Sequence, residues 1–366
     1  MGSQVTKKLG VGIIGCGNIS SIYLKNGTTL FDNLEIRAVA DLDLARAQAR
    51  ATEFGVAKVC SVKELLADKS IDVVLNLTVP LAHYSVCKAA LEAGKHVYVE
   101  KPLAVKLEEG EELAALAKAK GLYLGGAPDT FLGGGIQTCV KLIEDGWIGT
   151  PIGATAFMVC GGHEHWHPDP AFYYQVGGGP MFDMGPYYLT ALVALLGPAV
   201  SVAGMTSKAR GQRTISSAPK KGTVMDVEVP THIAGLVRFA SGATATVVTS
   251  FDVAGGSSHV PLEIWGTGGT LQVPDPNAFG GPVRYRKAGQ SEWSEIPLLF
   301  GYAENSRGLG LSEMATAISE GRPARAGVGM TLHVLELMHA FHRSADTKRQ
   351  VTLKTTGPAS RRRLVQ

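Results

Sequence analysis

A lysine, an aspartate and a tyrosine are the side chains of this sequence best suited to handle the proton of an alcohol. Lys101 follows the apolar segment His96–Val99, which is typical of a strand, and ligands bind at the ends of such strands. An ammonium there can hydrogen-bond a reacting oxygen and lower the pKa of a neighbouring phenol. Asp183 and Tyr187 are four residues apart, so one helical face can present both. We therefore expect these three residues to remove a proton from an alcohol.

Oxidation of a secondary alcohol also needs a donor that stabilises the alkoxide and an acceptor for the hydride. Tyr187 becomes a usable base only beside a lysine, because a free phenol has a pKa of about 10. Each residue has a structural alternative. Tyr187 can be a packed aromatic, Lys101 can pair with Glu100, and Asp183 can be a carboxylate near a helix N-terminus.

The glycine-rich loop 15–20 predicts where the hydride acceptor binds. It follows an apolar strand and precedes a helical pattern. Gly15 permits a tight turn, and Gly17 lets the backbone approach a pyrophosphate closely. The helix that begins near Asn18 and Ile19 then directs its N-terminal amides at the negative charge. This arrangement is typical of a dinucleotide site.

An acidic residue after the second strand supports this interpretation. The apolar segment Leu34–Ala40 ends directly before Asp41, 24 residues after Gly17. A carboxylate there accepts hydrogen bonds from ribose hydroxyls and repels a 2′-phosphate. Leu42 follows instead of an arginine, which favours NAD over NADP. The alternative is a surface turn with an ordinary aspartate. Cys16 lies inside the loop, and we expect NAD to slow its alkylation.

The order of elements predicts two domains that would position these residues. Over residues 1–127, short apolar strands alternate with helical patterns, which indicates a doubly wound parallel sheet of the Rossmann type. Over residues 128–366, strands dominate, with helices near 130–145 and 181–196 and two more towards the C-terminus. A largely antiparallel sheet with helices on one face is expected there. One long strand is predicted over Val224–Phe239.

Composition excludes several classes of protein. The chain of 366 residues is 45% hydrophobic, which suits two cores. Its net charge is +3 without a basic stripe, so we expect no nucleic-acid partner. The five cysteines form no CxxC pair, which fits a reducing compartment. Residues 1–8 lack the apolar core of a secretory signal, and no apolar run reaches membrane-spanning length. We expect a cytoplasmic protein without a membrane partner.

Three further segments resemble signatures of the Gfo/Idh/MocA oxidoreductase family, which includes glucose–fructose oxidoreductase and inositol dehydrogenase. They are Thr78-Val79-Pro80 with His83 downstream, Glu100-Lys101-Pro102, and the glycine-rich run 177–187 that ends in Asp183-Met184-Gly185-Pro186-Tyr187. The chain departs from the family pattern twice. Its proline falls one residue later in the first motif, and Tyr187 stands where most members carry His.

The resemblance covers residues 9–345 and implies an N-terminal Rossmann domain that binds NAD. It implies a C-terminal α/β domain with a large, open, mostly antiparallel sheet, which often forms the subunit interface, so a homo-oligomer is expected. It also implies cofactor contacts from the first two motifs, at Thr78, Pro80, His83, Glu100 and Lys101. Glucose–fructose oxidoreductase also has Tyr at the place of Tyr187, which favours a sugar, glycoside or cyclitol whose ring hydroxyl is oxidised, for example at C3 of a glucoside.

Three histidines alternate with Glu164 and Trp166 in segment 161–170. In an extended strand His163, His165 and His167 would face one way and could bind a transition metal. Ligands so close on one strand rarely converge on one ion, so we predict no metal. We expect a substrate loop, in which His165, Trp166 and His167 contact a sugar and His167 is the reserve base. A solvated loop is the alternative.

Two other functions stay open at the level of sequence. A redox-neutral glycosidase would oxidise a sugar, eliminate the aglycone, add water and reduce the product again, with NAD retained throughout. A non-catalytic NAD-sensing protein is also possible, because a fold does not settle a function. The presence of Lys101, Asp183 and Tyr187 argues against the second of these.

Overall fold

The structure is a computed structural model that describes residues 8–358. The N-terminal segment for which no secretory signal is expected therefore lies outside the described residues, apart from Lys8. The chain forms two compact units. The first contains the residues up to Asp129 together with Asn305–Leu332, and the second contains Thr130–Glu304 and His333–Gly357. The boundary predicted at 127/128 places all later residues in the second domain, whereas Pro128, Asp129 and the segment Asn305–Leu332 belong to the first unit.

Ten helices are assigned within residues 8–358. They are α1 (Ser20–Thr29), α2 (Leu44–Phe54), α3 (Val62–Ala67), α4 (Pro80–Glu92), α5 (Leu107–Lys120), α6 (Gly134–Glu144), α7 (Gly179–Asp183), α8 (Gly185–Leu196), α9 (Leu309–Glu320) and α10 (Val328–Thr347). None of them combines the length and apolar character needed to span a membrane.

The described strands belong to three sheets. They are β1 (Leu9–Ile14), β2 (Leu34–Ala40), β3 (Lys58–Val59), β4 (Val73–Asn76), β5 (His96–Val99), β6 (Leu124–Gly126), β7 (Pro151–Val159), β8 (Ala199–Ser207), β9 (Gln212–Thr214), β10 (Val224–Asp226), β11 (His232–Phe239), β12 (Thr244–Ser250), β13 (Leu262–Gly266), β14 (Gly269–Val273), β15 (Val283–Lys287), β16 (Ser294–Ile296) and β17 (Val351–Thr352).

The first unit contains a six-stranded parallel sheet in the order β3-β2-β1-β4-β5-β6. Its central strands are buried, as in sheets covered on both faces by helices. The strand order reverses between β1 and β4, so the chain leaves these neighbouring strands in opposite directions. Doubly wound sheets bind their ligands at this switch point. The predicted Rossmann architecture is confirmed.

The second unit contains a nine-stranded sheet in the order β16-β15-β14-β13-β7-β12-β11-β8-β17. Every pair is antiparallel except β7 and β12, so the predicted mostly antiparallel sheet is also confirmed. Gly204 and Gly235 face each other across β8 and β11 and make room for Phe341 of α10. A Cβ on Gly235 would lie 2.9 Å from the Phe341 ring. On this face the sheet is therefore covered by a helix.

Two predicted elements of the second unit are wrong in detail. The single strand over Val224–Phe239 is two strands, because Pro230 lies between them and cannot donate to a ladder. The single helix over 181–196 is interrupted at Met184, between α7 and α8. Pro186 has no amide hydrogen, so it cannot donate a hydrogen bond to the carbonyl four residues earlier. A new helix therefore begins at this point.

The N-terminus of α9 is capped from a distance by Asp129. The residue before α9 is Gly308, which has no side chain to act as a cap. The buried Asp129 carboxylate instead accepts hydrogen bonds from the Gly308 amide at 2.9 Å and the Gly310 amide at 3.0 Å. Asp129 therefore holds the returning segment within the first unit.

The Asp129 cap should make stability depend on pH. Burial raises the pKa of Asp129 to about 6 from an ordinary 3.8, against the opposing hydrogen bond from Gly310. Between these values the native protein holds a proton that the unfolded chain has released, so stability falls as the pH rises. Asp129→Asn keeps a hydrogen-bond acceptor but has no charge. In this variant we expect the free energy of unfolding to decrease by about 3 kcal/mol less over this pH range than in the native protein.

Urea unfolding of both proteins at several pH values between 3.5 and 7 measures this difference. Asp32→Asn removes an exposed carboxylate from the same unit and serves as the control. Equal pH slopes for Asp129→Asn and the native protein would contradict the assignment.

Candidate active site

The two glycines of the loop after β1 meet different constraints. Gly15 has a φ of 99°, and a Cβ there would lie 2.6 Å from the carbonyl carbon of Leu77. A Cβ on Gly17 would meet no atom of residues 8–358 within 4 Å. The first glycine therefore lets the chain turn tightly against the end of β4, whereas the second leaves open space beside the backbone. A pyrophosphate in contact with the loop requires such space.

The N-terminus of α1 presents its amides without a side-chain cap. Ile19 is the N-cap residue, and the first turn contains no acidic residue. Asn18 and Ile19 are exposed, whereas the Ser20 hydroxyl donates back to the Gly17 carbonyl at 2.6 Å. Uncapped amides at a helix N-terminus attract an anion. The loop and the helix therefore fit the diphosphate of a dinucleotide.

Asp41 follows β2 and holds this loop in place. Its Oδ2 accepts the Cys16 amide at 2.7 Å, and its Oδ1 accepts the Asp43 amide at 2.8 Å. The Asp41 side chain keeps 9% exposure. A carboxylate oxygen can accept more than one hydrogen bond, so Asp41 retains capacity for a ribose hydroxyl. That contact stays a prediction.

The predicted reactivity of Cys16 is wrong. The residue is fully buried, and its Sγ lies 3.7 Å from the Ala40 carbonyl oxygen. Burial, with a contribution from Asp41, raises the pKa of the thiol to about 11. Because the thiolate is the reacting form, alkylation should be slow with or without NAD. The other cysteines, like Cys16, form no disulfide.

The turn from Thr78 to Pro80 is held by buried groups. Thr78 donates its hydroxyl to Asn76 Oδ1 at 2.7 Å, and Pro80 begins α4. His83 is fully buried, with its ring nitrogens 3.0 Å from the Thr78 carbonyl and 2.6 Å from the Pro102 carbonyl. Burial lowers the pKa of His83. The buried ring thus contacts backbone carbonyls on both sides of the turn, and the predicted cofactor contact of His83 stays a prediction.

Glu100 joins the phosphate loop to the strand that carries Lys101. It is buried, its Oε1 accepts the Tyr23 hydroxyl at 2.8 Å, and its Oε2 accepts the Lys101 amide at 2.8 Å. Tyr23 belongs to α1. Both oxygens of Glu100 therefore accept hydrogen bonds inside the protein, and its predicted cofactor contact stays a prediction. Lys101 itself is half-buried at the end of β5.

In the second unit, His163 approaches Asp183 from the segment that follows β7. Its Nε2 lies 3.5 Å from Asp183 Oδ2, and the two side chains keep 11% and 16% exposure. The Trp166 indole donates to His163 Nδ1 at 3.3 Å. A carboxylate, an imidazole and an indole are therefore adjacent.

The histidine-rich segment folds as a turn rather than a strand. The amides of Trp166 and His167 both donate to the His163 carbonyl, at 3.3 and 3.0 Å. His163 is consequently buried, whereas His165 is exposed. The common face expected for an extended segment is wrong, because the turn directs the rings apart. Within residues 8–358 no cluster of His, Cys, Asp and Glu is arranged to hold a metal ion.

His167 is placed as a donor rather than a base. Its Nδ1 accepts the Asp169 amide at 3.0 Å, so the proton of the neutral ring is on Nε2. The Trp166 and Phe172 rings lie 5.3 and 5.4 Å from the His167 ring, and both remain about half exposed, at 54% and 48%. Exposed aromatic faces beside a donor suit the apolar and polar sides of a sugar ring.

A buried arginine anchors this segment. Arg213 of β9, 4% exposed, pairs with Glu164 at 2.5 Å and with Asp252. Glu164 also accepts the Tyr174 hydroxyl. Burial raises the pKa of Glu164, but the hydrogen bonds from Tyr174 and Arg213 outweigh this effect, and the pKa is lowered. The ionic network therefore keeps the turn in one conformation.

Tyr187 is the third residue of α8 and is buried. The break at Met184 places Asp183 and Tyr187 on two successive helices. The shared face argued from one continuous helix is therefore corrected. Lys101 belongs to the other unit, and its cooperation with Asp183 and Tyr187 stays a prediction.

Sequence reasoning missed two residues of this region. His163 was considered only as a metal ligand, because its approach to Asp183 depends on a turn that no periodic pattern reveals. Arg213 carries no motif and is about 50 positions from its partner Glu164. The one available signal was the short hydrophilic hairpin that contains it.

Comparison with known proteins identifies the family to which both parts of the chain are similar. Residues 9–126 match the model of an oxidoreductase family with an NAD-binding Rossmann fold, and residues 136–272 match the GFO/IDH/MocA C-terminal domain. A 1,5-anhydro-D-fructose reductase of Ensifer adhaerens is 29% identical over 71% of this chain and 74% of that protein. A dTDP-3,4-didehydro-2,6-dideoxy-alpha-D-glucose 3-reductase of Streptomyces antibioticus is 30% identical over 57% of this chain and 63% of that protein.

Among solved structures, a levoglucosan dehydrogenase in complex with NADH and levoglucosan has the same fold. Its TM-score is 0.80 at 22% identity, and the match covers 95% of this chain and 100% of that one. The Rossmann sheet, the open glycine loop and the uncapped helix define an NAD-dependent oxidoreductase. The chain belongs to the Gfo/Idh/MocA family, as its motifs predict.

Proposed function

We propose that this enzyme oxidises a secondary ring hydroxyl of a sugar, glycoside or cyclitol to a ketone, with C3 of a glucoside as one candidate position. The observation that carries the proposal is the polar and aromatic surface around Asp183. A carboxylate lies beside an imidazole there, and exposed Trp166 and Phe172 rings flank the His167 donor. The names of the relatives support a carbohydrate substrate, since each describes an enzyme that acts on a sugar or sugar derivative.

The roles of the side chains follow from their chemistry. Bound NAD supplies the hydride acceptor at the nicotinamide ring. Lys101 donates a hydrogen bond to the oxygen of the substrate hydroxyl that is oxidised. Tyr187 removes the proton of that hydroxyl. Asp183 accepts a hydrogen bond from a second hydroxyl and orients the ring, while Trp166, His165 and His167 contact its outer side. Thr78 and the turn behind it border the nicotinamide side of the cofactor.

Absorbance at 340 nm during incubation with NAD and a panel of sugars, cyclitols and aryl glycosides tests the proposal. NADH formation in proportion to ketone supports the dehydrogenase. Free aglycone without NADH would instead identify a redox-neutral glycosidase. Tight binding of NADH without turnover of any compound would leave a non-catalytic NAD-binding role.

We also propose that the uncovered face of the nine-stranded sheet joins two copies of the chain. Side chains that alternate with the helix-covered positions on β8 and β11 lie on this face. Met205 and Leu236 are 79% and 56% exposed, and Ala234 lies opposite Met205. A monomer would leave this apolar surface in water, and burying one leucine contributes about 1.5–3 kcal/mol. Burial of this surface between two copies would therefore contribute to the stability of a homodimer.

A charge on this face should separate the copies. We expect the native protein to elute as a dimer or larger assembly, and Leu236→Lys as a monomer, in size-exclusion chromatography with light scattering. Val224 of β10 has the same 56% exposure but lies in another sheet, so Val224→Lys is the matched control. A native monomer, or an assembly unchanged by Leu236→Lys, would refute this interface.

A further inference from the structure

The His163 imidazole lies at ion-pair distance from Asp183, and its Nε2 has no hydrogen-bond partner among the residues described. The residue is buried, with 9% of the whole residue and 11% of its side chain exposed. A buried N–H without a partner costs about 1–3 kcal/mol. Asp183 Oδ2, 3.5 Å away, is at ion-pair distance but outside hydrogen-bond geometry. A small rotation of the carboxylate would complete the bond.

The tautomer of His163 follows from its other nitrogen. Nδ1 accepts the Trp166 indole N–H, a group that can only donate. Nδ1 must therefore carry the lone pair, and in the neutral ring the proton lies on Nε2. His163 consequently directs a donor, and not a base, towards Asp183.

The ring of His163 is also fixed in position. Tyr173, Phe251 and Trp166 surround it, with ring centroids at 4.2, 4.5 and 5.4 Å. The Tyr174 hydroxyl accepts the His163 amide at 3.1 Å, and that tyrosine belongs to the Arg213 network. The backbone and the ring are thus held independently of Asp183.

We propose that His163 is a positioning residue for Asp183. Its Nε2–H hydrogen-bonds Oδ2 and selects the carboxylate rotamer, so that Oδ1 is presented to the substrate. The substrate side of this inference rests on the proposed function, whereas the tautomer and the His163–Asp183 bond do not. Asp183 on α7 is at ion-pair distance from the ring, and Glu164, next to His163 in sequence, pairs with Arg213.

Two substitutions separate positioning from packing. His163→Gln keeps a donor near the place of Nε2 but loses the ring, whereas His163→Phe keeps the ring but loses the donor. If His163 positions Asp183, we expect kcat to fall about 30-fold in the Phe variant and less than fivefold in the Gln variant, about 2 and 1 kcal/mol. KM should change less than kcat in both variants. A packing role predicts the reverse order, and that result would overturn the proposal.

A spectroscopic measurement keeps the inference testable without turnover. Long-range ¹H–¹⁵N spectra of the full-length protein with labelled histidine should show His163 protonated on Nε2 only. The Nε2 resonance should shift in Asp183→Ala, while Asp169→Ala, which removes a carboxylate from the same loop region, should leave it unchanged. A proton on Nδ1, or no shift in Asp183→Ala, would refute the positioning role. If His163 has the Nε2–H tautomer but the enzyme oxidises no sugar, the proposed function is refuted and the His163–Asp183 bond is not.

Discussion

The Lys101→Met variant is expected to lose hydride transfer while it keeps its cofactor. Removal of one group that stabilises a developing oxyanion costs about 100- to 1000-fold in rate. Lys101 is also the group that would make a neighbouring phenol a usable base, so the loss of kcat should approach the upper figure or exceed it. Methionine keeps an unbranched side chain as far as Cε and removes the ammonium.

NADH binding, followed by fluorescence, should stay within threefold of the native protein in this variant. The phosphate loop, Asp41 and the buried Glu100 that ties α1 to β5 do not depend on the lysine side chain, because Glu100 accepts the Lys101 backbone amide. A kcat within tenfold of native would remove Lys101 from the chemistry. Lost NADH binding would make it a cofactor ligand instead.

The identity of the base requires a separate comparison within the second unit. Tyr187→Phe should reduce kcat as Lys101→Met does if the phenol removes the proton. His167→Ala should chiefly raise KM, because His167 Nδ1 already accepts the Asp169 amide and the ring is left as a donor.

The first unit was largely predictable because each of its signals is local. Strands β2 and β5 have the predicted bounds, since a parallel strand buried on both faces appears as an apolar run. The apolar run Leu122–Leu124 predicts a strand two residues before β6, because Gly125 and Gly126 extend β6 without an apolar side chain. The return of Asn305–Leu332 was not predictable, because its cap by Asp129 joins residues about 180 positions apart.

The site was predictable only where one motif contains all the interacting groups. The glycine loop and Asp41 form such a unit, whose strand and helix are adjacent in sequence. The pair of His163 and Asp183 arises from a turn, a buried arginine and the helix break at Met184. The two motifs that contain His83 and Glu100 were recognised from the sequence, but the internal hydrogen bonds of these side chains were not, because their partners lie in other segments of the chain.

Substitutions of the two loop glycines should separate the fold from cofactor binding. In Gly17→Ala the added methyl group meets no atom within 4 Å in the part of the chain that the structure describes, so we expect native stability. The same methyl group enters the space in which a pyrophosphate would contact the backbone, and the Kd for NADH should rise about 10- to 100-fold, or about 1.4–2.7 kcal/mol. Calorimetry and NADH titration of one preparation measure both effects.

Gly15→Ala is the matched variant and should behave in the opposite way. Its φ of 99° is unfavourable for alanine, and its Cβ would lie 2.6 Å from the Leu77 backbone, so the fold itself must shift. The conformational cost alone is about 1–2 kcal/mol, and the contact with backbone adds to it, so Tm should fall by about 10 °C. We expect Gly17→Ala to bind NADH more weakly at an unchanged Tm, and Gly15→Ala to have a lowered Tm. These two results together would assign the open space beside Gly17 to the cofactor. Unchanged affinity in Gly17→Ala would contradict that assignment, because no protein atom could then account for a glycine at this position.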